Sequence, residues 1–141
     1  MREIKISEVE HLAHRLARKH LSWDEPIPDF STRYPGILES CIATVFQTYG
    51  KRSLYKTLDD KAAIIFYLII KNHPFLNGNK RVAVTSLLVF LVLNDRWLSA
   101  SPEELYQIAV EVAESNPRFK DGVVSEIKKF VRRYSVPFEN K

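Results

Sequence analysis

The chain has 141 residues, 45% hydrophobic and 27% charged, with a net charge of +4, enough to bury one core as a single domain over 1–141 without disulfides or a structural metal. The lone Cys41 rules out an intrachain bridge, and the polar start MREIKISEVE has no apolar leader, so a cytoplasmic protein is expected. The longest apolar runs, IIFYLII and VAVTSLLVFLVL, fall short of the roughly 18 residues of a membrane span, so no membrane partner is expected, and the mild basicity permits an anionic partner without naming one.

Ser7 and Glu10 have capping-box spacing, and Val9, Leu12, Ala13 and Leu16 recur at helical intervals, which predicts a first helix over 7–20. His11, His14 and His20 fall on it with no further metal ligand in view and read as surface residues. Pro26, Pro28 and Pro35 predict a long ordered loop from Leu21 to Gly36. Ile37, Leu38, Cys41, Ile42, Val45 and Phe46 predict a second helix that stops near Gly50, a residue suited to a C-terminal cap, before the short basic connection KRSLYK.

Thr57 and Asp60 open a third helix through KAAIIFYLIIKN, apolar almost all round and therefore central. A fourth begins at Gly78 or Asn79 and carries RVAVTSLLVFLVLND inward. Ser101, Pro102 and Glu104 form a capping box with proline at the first helical position, starting a fifth helix that runs through Glu114 and is ended by Asn116 and Pro117. The last helix, 120–134, carries Lys128, Lys129, Arg132 and Arg133 on one side, read as a solvated face with a nucleic-acid contact as the minority reading. The fold class is all-α: a helical bundle with two central helices flanking one polar loop.

That loop is HPFLNGNKR, His73 to Arg81. A loop that turns directly into a helix aims unpaired backbone N–H groups at one point, where the helix dipole also favours negative charge, so phosphate is attracted there. Gly78 allows close approach of a ligand to the backbone, Asn79 offers a side-chain amide, Lys80 a mobile charge and Arg81 a bidentate grip on phosphate oxygens. Histidine is the residue type that titrates near neutrality, so His73 is the candidate general base. These parts together point to phosphoryl or nucleotidyl transfer onto a hydroxyl.

HPFLNGNKR resembles the Fic/Doc family signature H-x-F-x-(D/E)-(G/A)-N-(G/K)-R at every position but the fifth, and the likeness extends over most of the chain, roughly from Ser7 to Tyr134. The resemblance implies that His73 deprotonates the hydroxyl of a protein substrate, that Phe75 anchors the loop in the core, and that Asn79 and Arg81 hold the phosphates of ATP. Fic proteins mostly transfer AMP. Doc proteins, which carry lysine at the position of Lys80, phosphorylate a threonine of elongation factor Tu, so Lys80 places the chain nearer the Doc branch, whereas Gly78 is the Fic-type choice. Asn77 stands where the family has the acidic residue that binds Mg2+; an asparagine carbonyl can occupy the same coordination site without charge, so weaker metal affinity is expected.

By the same resemblance, Lys51, Arg52 and Lys56, with Tyr49 and Tyr55, lie in the region from which the family presents its target segment. The family's inhibitory pattern (S/T)-x-x-x-E-(G/N) finds Ser99 and Glu103 at the right spacing but Glu104 after them, so inhibition is expected in trans, from the antitoxin of a toxin–antitoxin pair. The alternative, from another class, is a catalytically silent Fic-fold protein that binds nucleotide or a partner without turnover.

Overall fold

The structure is a computed structural model describing residues 1–21, 23 and 26–138. The first helix, α1, spans 6–20 in three parts: Ile6–Glu8, a π-helical stretch Val9–His14, and Arg15–His20. It starts earlier than the Ser7/Glu10 spacing predicts, because the Glu8 carboxylate accepts from the backbone N–H of Lys5 at 2.9 Å and so closes the helix start there. A π turn admits an extra residue and rotates the faces that follow it. Val9, Ala13, His14 and Ala17 are buried as a result, while Leu12 and Leu16 remain 45% and 42% exposed. Thr85 donates its hydroxyl to the Ala13 carbonyl at 2.7 Å, tying this turn to the fourth helix.

α2, Ile37–Phe46, ends before Gly50, which does not cap it. Gly50 instead takes φ +64° in the turn of a two-stranded antiparallel hairpin, β1 Thr48–Tyr49 with β2 Arg52–Ser53. The predicted basic connection is therefore partly this hairpin, with Lys51, Arg52 and Lys56 exposed.

α3, Leu58–Asn72, begins where its capping box predicts: Thr57 and Asp60 exchange side-chain and backbone bonds at 3.0 and 3.1 Å. α4 is Asn79–Leu93. These two pack on each other at the centre, α3 also against α2 and the last helix, α4 also against α1 and α5, Pro102–Glu114. Residues 61–70 of α3 and 81–87 of α4 are buried without a break, so neither helix has a watered face over those turns. Lys61 is admitted because its ammonium donates to the Tyr55 carbonyl.

The closing helix, α6, is Lys120–Tyr134. Lys129, Arg132 and Arg133 are exposed and Lys128 is partly buried; Lys128 pairs with Asp60 at 2.5 Å and Arg132 with Asp59 at 3.2 Å, which joins the face read as solvated to the start of α3. β3, Arg96–Leu98, pairs antiparallel with β4, Ser135–Pro137. Among the described residues no helix is long and apolar enough to cross a membrane.

His14 corrects the reading of three surface histidines. It is 3% exposed, its Nε2 lies 3.0 Å from the Pro28 carbonyl to which it donates, and its ring packs against Phe30 and Phe75, each at 5.4 Å. Burial holds its pKa below the ordinary 6.5, against the smaller raising effect of the Pro28 bond. An unfolded chain therefore takes up a proton as pH falls through 6.5 before the native chain does, so native stability is full above that value and declines below it, down to the depressed folded pKa. The expected result is a melting temperature that falls with acidification just below 6.5 in the wild type and is flatter there in His14→Gln, whose amide can still donate to Pro28. Parallel curves for the two proteins would show that His14 does not set this dependence.

Candidate active site

α3 ends at His73, whose backbone turns left-handed with φ +51° and ψ +64°. For a residue with a Cβ this costs on the order of 1 kcal/mol, and such strain persists only where surrounding contacts impose it. Those contacts are explicit. The Pro74 carbonyl accepts from the N–H of Tyr34 at 2.9 Å, fixing the loop to the 30–36 segment. Phe75, 1% exposed, packs with Phe30 at 5.8 Å and His14 at 5.4 Å.

Asn79 performs a second fastening. Its Oδ1 accepts from the Phe75 N–H at 3.0 Å and its Nδ2 donates to the Phe75 carbonyl at 2.9 Å, so the buried side chain clamps the backbone four residues before it. The amide expected to meet phosphate is thus engaged within the loop. The same Nδ2 lies 3.4 Å from His73 Nδ1, long for a hydrogen bond, which leaves Nε2 as the nitrogen turned away from the clamp. For Nε2 to accept a proton, the ring must carry its hydrogen on Nδ1, and this long contact has to relax.

Gly78 caps α4 at its start with φ +83°. The sequence reading assigns it to close approach of a ligand, and the structure adds a second constraint, from Ile27: a Cβ at residue 78 would stand 2.6 Å from Ile27 Cγ1. Ile27 is buried, comes from the proline-rich segment, and carries no sequence signal of this contact. Gly78→Ala adds left-handed strain to this overlap and is expected to cost about 2 kcal/mol or more, read as a lower urea midpoint at unchanged slope. A loss below ~0.5 kcal/mol would mean that Ile27 moves aside freely.

His73, Leu76, Asn77, Gly78, Asn79 and Lys80 line one hollow of about 310 Å³, together with Ile70 of α3 and Ala113 of α5. Lys71 holds the end of α5 by donating to the carbonyls of Ala113 at 3.3 Å and Ser115 at 2.5 Å. No carboxylate lines the hollow among the described residues, and the N-terminus of α4 opens beside it, so its field favours an anion. The volume is at the low end for ligand sites and suits the phosphate-bearing part of a nucleotide. Arg81 is placed differently from the other motif residues: 3% exposed and outside this lining, it donates from Nη1 to the Leu21 carbonyl at 3.4 Å.

The residues allow Mg2+ on restricted terms. Asn77 Oδ1 is buried and has no protein hydrogen-bond partner, an acceptor suited to a cation or a donating water. No group of three or more His, Cys, Asp or Glu able to hold a metal exists among the described residues. An ion here would therefore keep most of its ligands from phosphate oxygens and water, with one neutral oxygen from the protein.

A family model described as Fic/DOC family matches residues 3–91, well over half of the sequence. The chain belongs to the Fic/DOC family, and its fold of α-helices around the motif loop is the all-α arrangement that membership implies. The match begins before the likeness read from the motif and ends within α4, leaving α5 and α6 beyond it. The protein is also similar to Toxin Doc of Mycolicibacterium smegmatis, with 32% identity over 72 residues, 51% of this chain and 55% of that protein. The chain thus spans about half the length of this curated relative.

Proposed function

We propose that the protein is a toxin-like Fic/Doc transferase that moves a phosphoryl group, or failing that AMP, from ATP to a hydroxyl side chain of a cytosolic protein. The observation that carries this reading is the shared hollow: an exposed histidine fixed in a strained backbone conformation opens onto the same small cavity as the N-terminus of α4. Unrelated roles for the loop would not require both. His73 Nε2 takes the proton of the acceptor hydroxyl as its oxygen attacks phosphorus. A new O–P bond forms, the bond to the leaving oxygen breaks, and ADP departs in phosphoryl transfer or pyrophosphate in AMP transfer. The backbone N–H groups at the start of α4 and the Lys80 ammonium stabilise charge on the phosphate oxygens. Mg2+, carried in by the nucleotide and touching Asn77 Oδ1, would supply further charge neutralisation.

Lys80 and the similarity to Toxin Doc favour phosphoryl transfer over AMP transfer, and elongation factor Tu is the first target to try. The β1–β2 hairpin, with exposed Tyr49, Lys51 and Arg52, is the candidate edge for presenting the target segment. An antitoxin acting in trans would use the apolar groove of about 440 Å³ formed by Leu16, Leu21, Trp23, Leu88, Trp97 and Leu105.

The test is incubation with Mg2+ and a bacterial lysate, using ATP labelled at the α or the γ phosphate in parallel. A protein band labelled only from γ supports phosphoryl transfer, and one labelled from α supports AMP transfer. The neutral Asn77 favours the second reading, a silent nucleotide binder, which predicts retained nucleotide and no labelled protein with either isotope.

A further inference from the structure

Asn77–Gly78 is the only Asn-Gly pair in the sequence, and it lies in the wall of the hollow. Glycine offers no side chain to obstruct attack by its own nitrogen on the preceding side chain. A folded protein permits that attack where the backbone can bring the nitrogen onto the side-chain carbon and where no hydrogen bond holds either reacting group. Here, among the described residues, none does: Asn77 Oδ1 has no partner, and no hydrogen bond is made by Asn77 Nδ2 or by the Gly78 N–H. The neighbouring clamp contrasts with this. Asn79 has both amide atoms engaged with Phe75, and Asn94 likewise has its oxygen on the Arg2 N–H and its nitrogen on the carbonyls of Arg2 and Phe90. The Gly78 nitrogen also sits at the positive end of α4, close in sequence to Lys80, where loss of a proton from N–H is eased.

We infer that Asn77 is a self-modifying position: in the folded protein it converts to a carboxylate, which installs negative charge in a hollow that no carboxylate lines among the described residues. This consequence for metal binding rests on the transferase reading of the site; the conversion itself does not. The Gly78 nitrogen gives up its proton and bonds to Cγ of Asn77, closing a five-membered succinimide, and the side-chain nitrogen leaves as ammonia. Water then opens the ring. Cleavage of the new N–Cγ bond restores the ordinary main chain with aspartate at 77, and cleavage of the original peptide bond leaves an isoaspartyl link one carbon longer. No electrons are exchanged with another group.

The two products have different consequences. The aspartyl form keeps the main chain that the Asn79 clamp and the Ile27 contact require, and turns a neutral acceptor into a charged one. The added backbone carbon of the isoaspartyl form falls between Phe75 and Asn79, inside the clamped turn, and unseats it. Ageing therefore yields one population with stronger hold on a hard cation and one with a broken loop.

The experiment ages the full chain at mildly alkaline pH, folded and in parallel unfolded in urea, and maps residue 77 by peptide mass and retention. The result expected is conversion at Asn77 in the folded sample, with Asn72, Asn79 and Asn94 unchanged and Asn77→Gln inert. Persistence of asparagine at 77 in the folded chain while the urea sample converts would overturn the inference, since the fold would then protect the pair. Titration of Mg2+ with a non-hydrolysable ATP analogue reads the consequence: Asn77→Asp and the aspartyl fraction should bind Mg2+ about tenfold tighter than fresh protein. Equal affinity would remove the proposed role of the new carboxylate. Absence of any nucleotide binding in all forms would count against the transferase reading alone, because the mapping result does not depend on it.

Discussion

His73→Ala is expected to abolish protein labelling from ATP while leaving the fold intact. The imidazole is exposed on the loop, so its removal opens no cavity, and alanine at a position with φ +51° retains about the same backbone strain. What is lost is proton acceptance from the attacking hydroxyl, typically worth ~10²–10⁴ in rate for a general base. Labelled-ATP transfer, thermal unfolding and nucleotide binding should be measured on the same preparation. The expected pattern is no detectable transfer, an unfolding midpoint close to wild type, and nucleotide affinity within a few-fold. Wild-type labelling by the mutant would remove His73 from the mechanism, and a large drop in unfolding midpoint would show that the residue serves the fold instead.

Phe75→Ala should have the opposite signature. Its ring is 1% exposed and packs with His14 of α1 and Phe30 in a cluster of three mutually contacting rings, so the mutation removes a buried aromatic where three chain segments meet. Phenylalanine-to-alanine changes in a core cost about 3–5 kcal/mol, a large fraction of a small protein's stability. Chemical denaturation should show a midpoint lowered in proportion. Activity should fall even in the folded fraction, because the backbone clamp that Asn79 places on residue 75 loses its buried support. A loss under ~1 kcal/mol would mean that the loop is held by the Asn79 clamp and the Tyr34–Pro74 bond without the ring.

These two residues also show what was legible in the sequence. Helix identities followed from periodicity and from two complete capping boxes, Thr57 with Asp60 and Ser101 with Glu104, because both signals are local and act within one turn. The unbroken apolar surfaces of α3 and α4 sufficed to place them at the centre, and the motif between them marked the candidate site and the core anchor Phe75.

The folded structure decided matters in which alternative partners, near or distant in the chain, compete for the same groups. Glu8 outcompetes the Ser7/Glu10 pattern by reaching the Lys5 N–H, and Gly50 turns a hairpin because β1 finds a partner in β2. A π turn in α1, held by Thr85 from α4, exposes Leu12 and Leu16 and buries His14, which no fixed helical period foretells. The sequence identified Gly78 as special, but only folding showed that Ile27, some fifty residues earlier in the chain, fills the space a side chain there would need. The motif marked Asn79 and Arg81 as phosphate ligands by residue type. Folding gave Asn79 the loop backbone as its partner and buried Arg81 against Leu21, because polar groups taken out of water must be satisfied by whatever donors and acceptors the packed chain brings to them. Residue chemistry and local spacing are written along the chain; burial and hydrogen-bond partnership across the chain arise only when the helices pack.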